Sequence, residues 1–471
     1  MKPIKFNLFL ALSFWMLLLL AACNRDDIKF DTAAQELSFS KDTVFCDTVY
    51  HQVRSETYAL KVYNNEDKDV VIPNIRLGRG AGSLYRINVD GQSGFEFQNV
   101  PLRKKDSLYV FVEIAPEASG PEAVAIDYIN FTTAVGEQKV TLFSVVQDAE
   151  FYVQTGSNPV KITSNTVWNN DKAKIIYGNL EVDPNVTLDI NAGTKVIFFR
   201  NSGMIVKNGA TINVNGDYGS EVIFRSDRSD IHYDTIPKNW NSIRFDPGAN
   251  LNMNYAKIFG GTTGIELKQA SANIKNTIIH TFQDFGIKSI GSVINAENLV
   301  TNNCGTAALG IYKGGDVTLT HCTLANYWQF QGGNIANALY ATNEWKNEAN
   351  QTEYGTLNLK VRNTILYNWF NNSVELKPIA GQTFNYQLEN CLLNYDNATS
   401  AGFNFDGNTS IINCIKNQNP QFMQTGTEHL NLRVKNTSPA KSKGNSAYVS
   451  IVPLDIVQIA RSTPPTIGAY Q

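Results

Sequence analysis

The chain has 471 residues, with 40 Lys and Arg against 43 Asp and Glu and a formal net charge of −3. No long run of one sign occurs, so the basic surplus or stripe of a nucleic-acid binder is missing. A hydrophobic content of 43% with 18% charged residues excludes disorder over most of the length. Asn, Thr, Ile, Val, Gly and aromatic residues are abundant and Ala/Leu/Glu/Lys stretches at helical spacing are absent, which points to an all-β protein.

In chain order the first element is a secretory signal. Met1-Lys2-Pro3-Ile4-Lys5 is a basic start, Leu8 to Ala22 is apolar, and Leu20-Ala21-Ala22 forms a small-residue cleavage site. Such a segment is removed on export and is not a span of the mature protein. Cys23 follows directly, and Leu20-Ala21-Ala22-Cys23 resembles a bacterial lipobox. The resemblance implies removal of residues 1–22, lipidation of Cys23 and an outer-membrane lipoprotein, on the cell surface or on the periplasmic face. An ordinary signal with an incidental Cys is the plainer alternative. Acyl chains contribute about 0.8 kcal/mol per buried CH₂, so a multiply acylated Cys23 would hold the body firmly on its membrane. Asn24-Arg25-Asp26-Asp27 is similar to the surface-export signal of Bacteroidetes lipoproteins; the plainer reading of residues 23–36 is a solvated tether.

The remaining cysteines, Cys46, Cys304, Cys322, Cys391 and Cys414, show no C-x-x-C and no zinc-ligand spacing. Their odd number argues against a complete disulfide framework, and they read as buried small apolar residues. No cofactor and no metal site is expected.

Residues 37–150 carry short period-two segments: Leu37-Ser38-Phe39, Thr57 to Tyr63, Val70 to Ile72, Ser107 to Ile114, Ala125 to Phe131 and Lys139 to Val146. Turn residues separate them, which is the pattern of a β-sandwich. The stretch resembles the immunoglobulin-like modules that precede solenoids on bacterial surface proteins, and a spacer is its expected role.

From residue 151 onward the strands become brief and are punctuated by Gly and Asn. A repeat then appears with the pattern apolar-x-polar-x-apolar-apolar, whose polar register falls on Tyr255, Asn276, Asn298, His321, Asn363, Asn390 and Asn413. Most steps are about 21–23 residues, and the step from His321 to Asn363 is either two repeats or one repeat with an insertion. A period near 22 with three short strands per turn is a right-handed parallel β-helix of about ten to twelve coils. Coils stacked about 4.8 Å apart share one continuous core that none could bury alone. Asn recurs at the register because a turn Asn can bond the backbone of adjacent coils. Residues from about 160 to 471 resemble the pectin-lyase-like family: Val186 to Phe198 is similar to its first coils, and Asn419 to Phe422, Leu430 to Leu432, Ser438 to Ala440 and Pro465 to Tyr470 are similar to a closing segment. That family holds lyases, hydrolases and adhesins, so the resemblance implies fold and leaves activity open.

A second row places Ile243, Ile265, Ile287 and Ile311 inward. Period two then sends Arg244, Glu266, Lys288 and Tyr312 outward in one column, joined by Glu375. One reading is a saccharide face on which Arg and Lys engage uronate and Lys288 or Tyr312 acts as a lyase base. The other is a solvent-facing ladder of paired charges, each pair worth a few tenths to about 1 kcal/mol. Aromatics offer a second candidate. Trp345 and Tyr354 lie in the polar insertion Thr342 to Tyr354, and Phe282, Tyr327 and Trp369 each fall six residues after a register position. Exposed, they would stack on sugar; buried, they would pack over the core.

The polygalacturonase signatures Asn-Thr-Asp, Gly-His-Gly and Arg-Ile-Lys do not occur, and Asn276-Thr277 and Asn363-Thr364 are each followed by Ile. The five histidines are scattered. The sequence therefore favours a lipid-anchored cell-envelope protein that binds glycan or another macromolecule without catalysis. Its expected partners are the outer membrane and polysaccharide, with no nucleic acid. The alternative is a polysaccharide lyase or glycoside hydrolase acting on acidic polysaccharide.

Overall fold

Apolar and polar residues alternate along Ser107–Ile114, and the strand they form buries Val110, Val112 and Ile114 while Tyr109 and Phe111 stay exposed. The same logic runs through the whole computed structural model, which describes residues 30–50, 54–114, 122–227, 235–330, 336–370 and 372–471. The signal segment, Cys23 and much of the tether lie outside the described residues. The protein is all-β, and it divides into two units, the chain passing from the first to the second near residue 146.

The first unit holds two largely antiparallel sheets. One orders the strands Asp31–Thr32, Val70–Leu77, Glu122–Thr133, Gly136–Gln147 and Thr43–Tyr50, with Glu96–Leu102 also on Val70–Leu77. The other orders Ser38–Phe39, Tyr58–Tyr63, Ser107–Ile114, Tyr85–Val89 and Gln92–Gly94. Phe39 of one sheet lies 4.9 Å from Phe131 of the other, and Leu60, Ile72, Ile75 and Leu142 are fully buried.

The second unit is built on two large parallel sheets of 17 and 11 strands among the described residues. The strands Ile243–Phe245, Asn250–Asn254 and Ala256–Phe259 make one circuit, and each pairs with its counterpart in the next: Ile243 with Ile265, Met253 with Ile274, Ile258 with Ile279. The bend between the second and third strands is the register position of the repeat. Tyr255, Asn276, Asn298, His321, Asn363, Asn390 and Asn413 all have φ between 47° and 53°. Left-handed backbone is costly for most L-residues and tolerated by Asn, so the recurring Asn has a conformational cause. Its side chains bond to asparagines of the preceding circuit and to the C-terminal segment: Asn276 Nδ2 donates to Asn254 at 2.8 Å, Asn298 Nδ2 to Asn276 at 2.8 Å and to Leu454 O at 3.0 Å, and Asn390 Nδ2 to Lys443 O at 2.8 Å. The expected bonds to backbone of adjacent coils are made instead by main-chain amides, as from Asn276 N to Glu297 O.

The long step is resolved by pairing. Leu319 lies opposite Val361, so residues between His321 and Asn363 form a single enlarged circuit. Part of the extra chain is a β-hairpin, Glu344–Lys346 with Thr352–Tyr354.

Inward files fill the core. Met204, Ile243, Ile265, Ile287, Leu309, Leu339 and Val374 are consecutive partners, none more than 2% exposed. Ile311 is also buried but belongs to the adjacent file, opposite Ser289. Within this core Phe198 stacks on Trp240, which Phe282 meets edge to face, and the burial of Phe282 removes it from the aromatic candidates. The C-terminal segment covers the outer side of the 11-stranded sheet, where Phe422, Leu432, Ile467 and Ala469 pack on Val300, Ile365 and Leu392.

Candidate functional site

The outward column begins where the sequence places it. Arg244, Glu266 and Lys288 are direct partners on neighbouring strands of the long sheet. It continues through Gly310 and Tyr340 to Glu375, so Glu375 joins it and Tyr312 does not. Tyr312 lies opposite Ile290, two residues further along its strand. The register shifts only beyond that pair, between Ile290 and Ser292, where Gly291, Lys313 and Gly314 take positive φ and the later strand carries one extra residue.

Charges along the column are compensated. Lys288 Nζ is 3.4 Å from Glu266, Arg244 Nε is 3.1 Å from Asp246, and Lys377 Nζ is 2.8 Å from Glu375. Asn337 Nδ2 also donates to Glu375 at 2.8 Å. Partly exposed pairs of this kind contribute about 0–1 kcal/mol each.

Gly310 gives the column its shape. A Cβ there would lie 2.7 Å from the Phe285 ring, so the absent side chain is what lets Phe285 and Tyr312 approach edge to face, with centroids 5.9 Å apart. The Tyr340 ring is 5.3 Å and the Trp345 ring 5.4 Å from Tyr312. Lys288 Nζ lies 4.8 Å from the Trp345 centroid and 5.8 Å from that of Phe285. Lys288, Tyr312 and Trp345, drawn from two separate sequence candidates, therefore form one cluster. Burial pushes the Tyr312 phenol well above its ordinary pKa, with Tyr340 and Glu375 adding to the effect. Its hydroxyl therefore stays protonated near neutrality.

The hairpin that carries Trp345 is pinned by charge. Lys313 Nζ meets Glu353 at 2.6 Å and Lys268 Nζ meets Glu348 at 3.3 Å. Asn347 closes its turn, its Oδ1 accepting from Ala349 N and Gln351 N. Trp345 is opposite Glu353 whereas Tyr354 is opposite Glu344, so the two aromatics occupy opposite faces of the hairpin. Tyr354 is 47% exposed and stands apart from the ring cluster.

The second aromatic row divides by burial. Tyr327 and Trp328 are buried, whereas Trp369 is 62% and Phe370 40% exposed. Tyr327 and Trp369 meet edge to face at 4.7 Å beside a cleft of about 640 Å³.

A second asparagine ladder escaped the sequence reading. Asn326 Oδ1 accepts from Cys304 N at 2.7 Å, Asn394 Oδ1 from Asn368 N at 3.2 Å, and Asn417 Oδ1 from Tyr395 N at 2.7 Å. Asn326 and Asn417 also donate to the carbonyls of Cys304 and Tyr395, standing in for a strand partner. The signal was present: Asn326, Asn368, Asn394 and Asn417 each follow a register position by a few residues.

His321 is fully buried at its register position and its Nε2 is 3.0 Å from Asn363 Nδ2. Among the described residues no three His, Cys, Asp or Glu side chains group as metal ligands would.

No protein-family model matches the chain, and no curated protein matches it. Among solved structures it is similar to Vibrio cholerae VesB protease, with 11% identity, 24% of this chain and 32% of that one covered, and a TM-score of 0.17. It is similar to the PapD-like domain 7 of human CEP192, with 11% identity, 27% and 92% covered and a TM-score of 0.17. A family 123 glycoside hydrolase from Clostridium perfringens gives 10% identity, 28% and 30% covered and the same score. The chain spans about a third of the length of the VesB protease structure. Scores this low define neither fold nor activity.

Proposed function

We propose that residues 151–471 form a right-handed parallel β-helix of the pectin-lyase-like type, preceded over residues 37–150 by an immunoglobulin-like sandwich acting as a spacer. The whole is a lipid-anchored cell-envelope protein, held in the outer membrane through Cys23, that binds glycan or another macromolecule without catalysis. The repeat period, the left-handed bend at every register residue and the coil-to-coil pairing support the architecture. The gathering of Lys288, Tyr312 and Trp345 on the outer face of the long sheet carries the functional reading. Rings beside a cation form a surface on which a sugar can stack while its acidic group is held. Pairing of Lys288 with Glu266 and the raised pKa of Tyr312 favour binding over proton abstraction.

The test is titration of the mature chain with polygalacturonate and with neutral polysaccharides. Binding that Trp345→Ala abolishes supports the reading. Release of unsaturated product, lost in Lys288→Ala, would establish the lyase alternative instead. Anchoring is tested separately, by incorporation of labelled palmitate into the wild type and into Cys23→Ser.

A further inference from the structure

We propose a second saccharide site, for a neutral pyranose oligosaccharide, in the cleft between the ends of the 11-stranded sheet and the C-terminal segment. It goes beyond the sheet-face reading, since it uses other residues, another side of the second unit and a ligand of different charge. Successive circuits supply its parts at one turn. Tyr327 follows the strand Thr323–Asn326, Trp369 and Phe370 follow Ile365–Asn368, and Asn419 and Gln421 follow Ile415–Lys416.

Three observations converge on a sugar. First, the platform is rigid and unpartnered. Tyr327 is a hub, with Trp369 at 4.7 Å, Phe422 at 6.1 Å and Tyr367 at 6.4 Å, and its amide is fixed by Asn302 Oδ1 at 2.9 Å. Trp369 nevertheless keeps 62% of its surface in solvent with Phe370 beside it. Burying an aromatic ring is favourable, so a ring held by its neighbours and left open to solvent marks a surface that a ligand can cover.

Second, the polar rim offers unfilled donors. Asn419 Oδ1 accepts from Gln421 N at 2.7 Å and Gln421 Oε1 from Thr437 Oγ1 at 2.5 Å, which fixes both amides. Their NH₂ groups make no hydrogen bond among the described residues and line the cleft, placed to meet hydroxyl oxygens. Asn368 and Asn394 differ, because their amides are engaged with the backbone and with each other.

Third, the charge is balanced. Asp396 and Lys435 are the only ionised side chains of the lining, one of each sign. A ring platform with neutral donors and no net charge matches an uncharged sugar and disfavours uronate. The volume, about 640 Å³, is within the range of about 300–1,000 Å³ for small-molecule sites.

The experiment measures binding calorimetrically as the mature chain is titrated with cellohexaose, xylohexaose, mannohexaose and hexagalacturonate, with intrinsic tryptophan fluorescence of the wild type placing the ligand. Trp168, Trp240 and Trp328 are buried, so Trp369 is the most exposed of the described indoles and dominates any quenching at this cleft. At least one neutral hexasaccharide is expected to bind, about ten-fold or more weaker in Trp369→Ala and partly restored in Trp369→Phe. Because Trp369 is exposed, its removal should leave the thermal midpoint unchanged, which separates loss of binding from loss of folding. The proposal is overturned if no neutral oligosaccharide binds, if Trp369→Ala binds like wild type, or if hexagalacturonate is preferred. It is also overturned if sedimentation shows a dimer that Trp369→Ala dissociates, which would make a second copy of the chain the occupant. The sheet-face reading is tested through Trp345, so either can fail alone.

Discussion

The ammonium of Lys288 lies 4.8 Å from the centre of the Trp345 ring, tying a strand of the long sheet to a hairpin that emerges from a later circuit. A cation held over an indole at a partly exposed site contributes about 0.5–1 kcal/mol. A double-mutant cycle of Lys288→Ala and Trp345→Ala, read by denaturant unfolding, should return a coupling of that size. Strict additivity of the two single effects would show that the contact contributes nothing.

Gly310→Ala tests the hollow that lets the rings gather. The added methyl would lie 2.7 Å from Phe285 and 3.3 Å from Tyr312, so both rings must move. Overpacking of this kind costs about 1–3 kcal/mol. The variant should unfold at lower denaturant and lose the Lys288–Trp345 coupling. An unchanged midpoint would mean the rings yield freely.

Asn363 combines a left-handed backbone with three side-chain contacts. Its φ is 47°, its Oδ1 accepts from Asn445 N at 2.7 Å, and its Nδ2 donates to Asn445 O at 2.9 Å and lies 3.0 Å from His321 Nε2. Asn363→Ala loses the contacts and keeps the strain, for an expected loss of about 3 kcal/mol or more. Asn363→Gly loses the same contacts and relieves the backbone, so it should be less damaging by about 1 kcal/mol. Equal losses would remove backbone strain from the account.

Burial, with Arg461 close by, holds His321 down to a pKa of about 3. An unfolded histidine titrates near 6.5, so below that pH the unfolded chain takes up a proton that the folded chain refuses. Stability should therefore fall by up to about 1.4 kcal/mol per pH unit from about 6.5 towards about 3, and level off below. His321→Asn, the residue other circuits use, should flatten that acid limb. Parallel pH profiles for the two proteins would refute the assignment.

Cys391 N donates to Cys414 Sγ at 3.4 Å, and both thiols are free. Burial and the neighbouring Cys414 hold Cys391 well above the ordinary thiol range, whereas the hydrogen bond from Cys391 lowers Cys414. Cys414 is also the only one of the five described cysteines that is not fully buried. Native iodoacetamide labelling followed by mass spectrometry should therefore modify Cys414 first, with Cys46, Cys304 and Cys322 reacting only after unfolding.

Much of the second unit was legible because its physics repeats. A left-handed bend every circuit favours Asn, and a buried file favours aliphatic residues such as Ile, so both recur visibly in the letters. The misplacement of Ile311 and Tyr312 has an equally physical origin. A small residue precedes every member of the inward file, as in Ser242, Gly264, Gly286, Ala308, Ala338 and Ser373, because the next circuit passes close; a Cβ on Gly286 would sit 2.7 Å from Ala308 O. Gly310-Ile311 imitates that pattern two residues late, and only pairing reveals Ala308-Leu309 as the true member. The meeting of Lys288 with Trp345 was not legible, since it depends on how the hairpin folds back. The exposure of Trp369 was not legible either, since Phe282 and Tyr327 share its spacing and are buried.

The enlarged circuit leaves the stack and rejoins it in unbroken register, with Leu319 still opposite Val361. Length added there leaves the pairing of the circuits on either side in step. Such a seam lets the outer surface diverge by grafting, trimming or exchanging one excursion while the pile beneath keeps its sequence. A scaffold so arranged can change the surface it presents without learning to fold again.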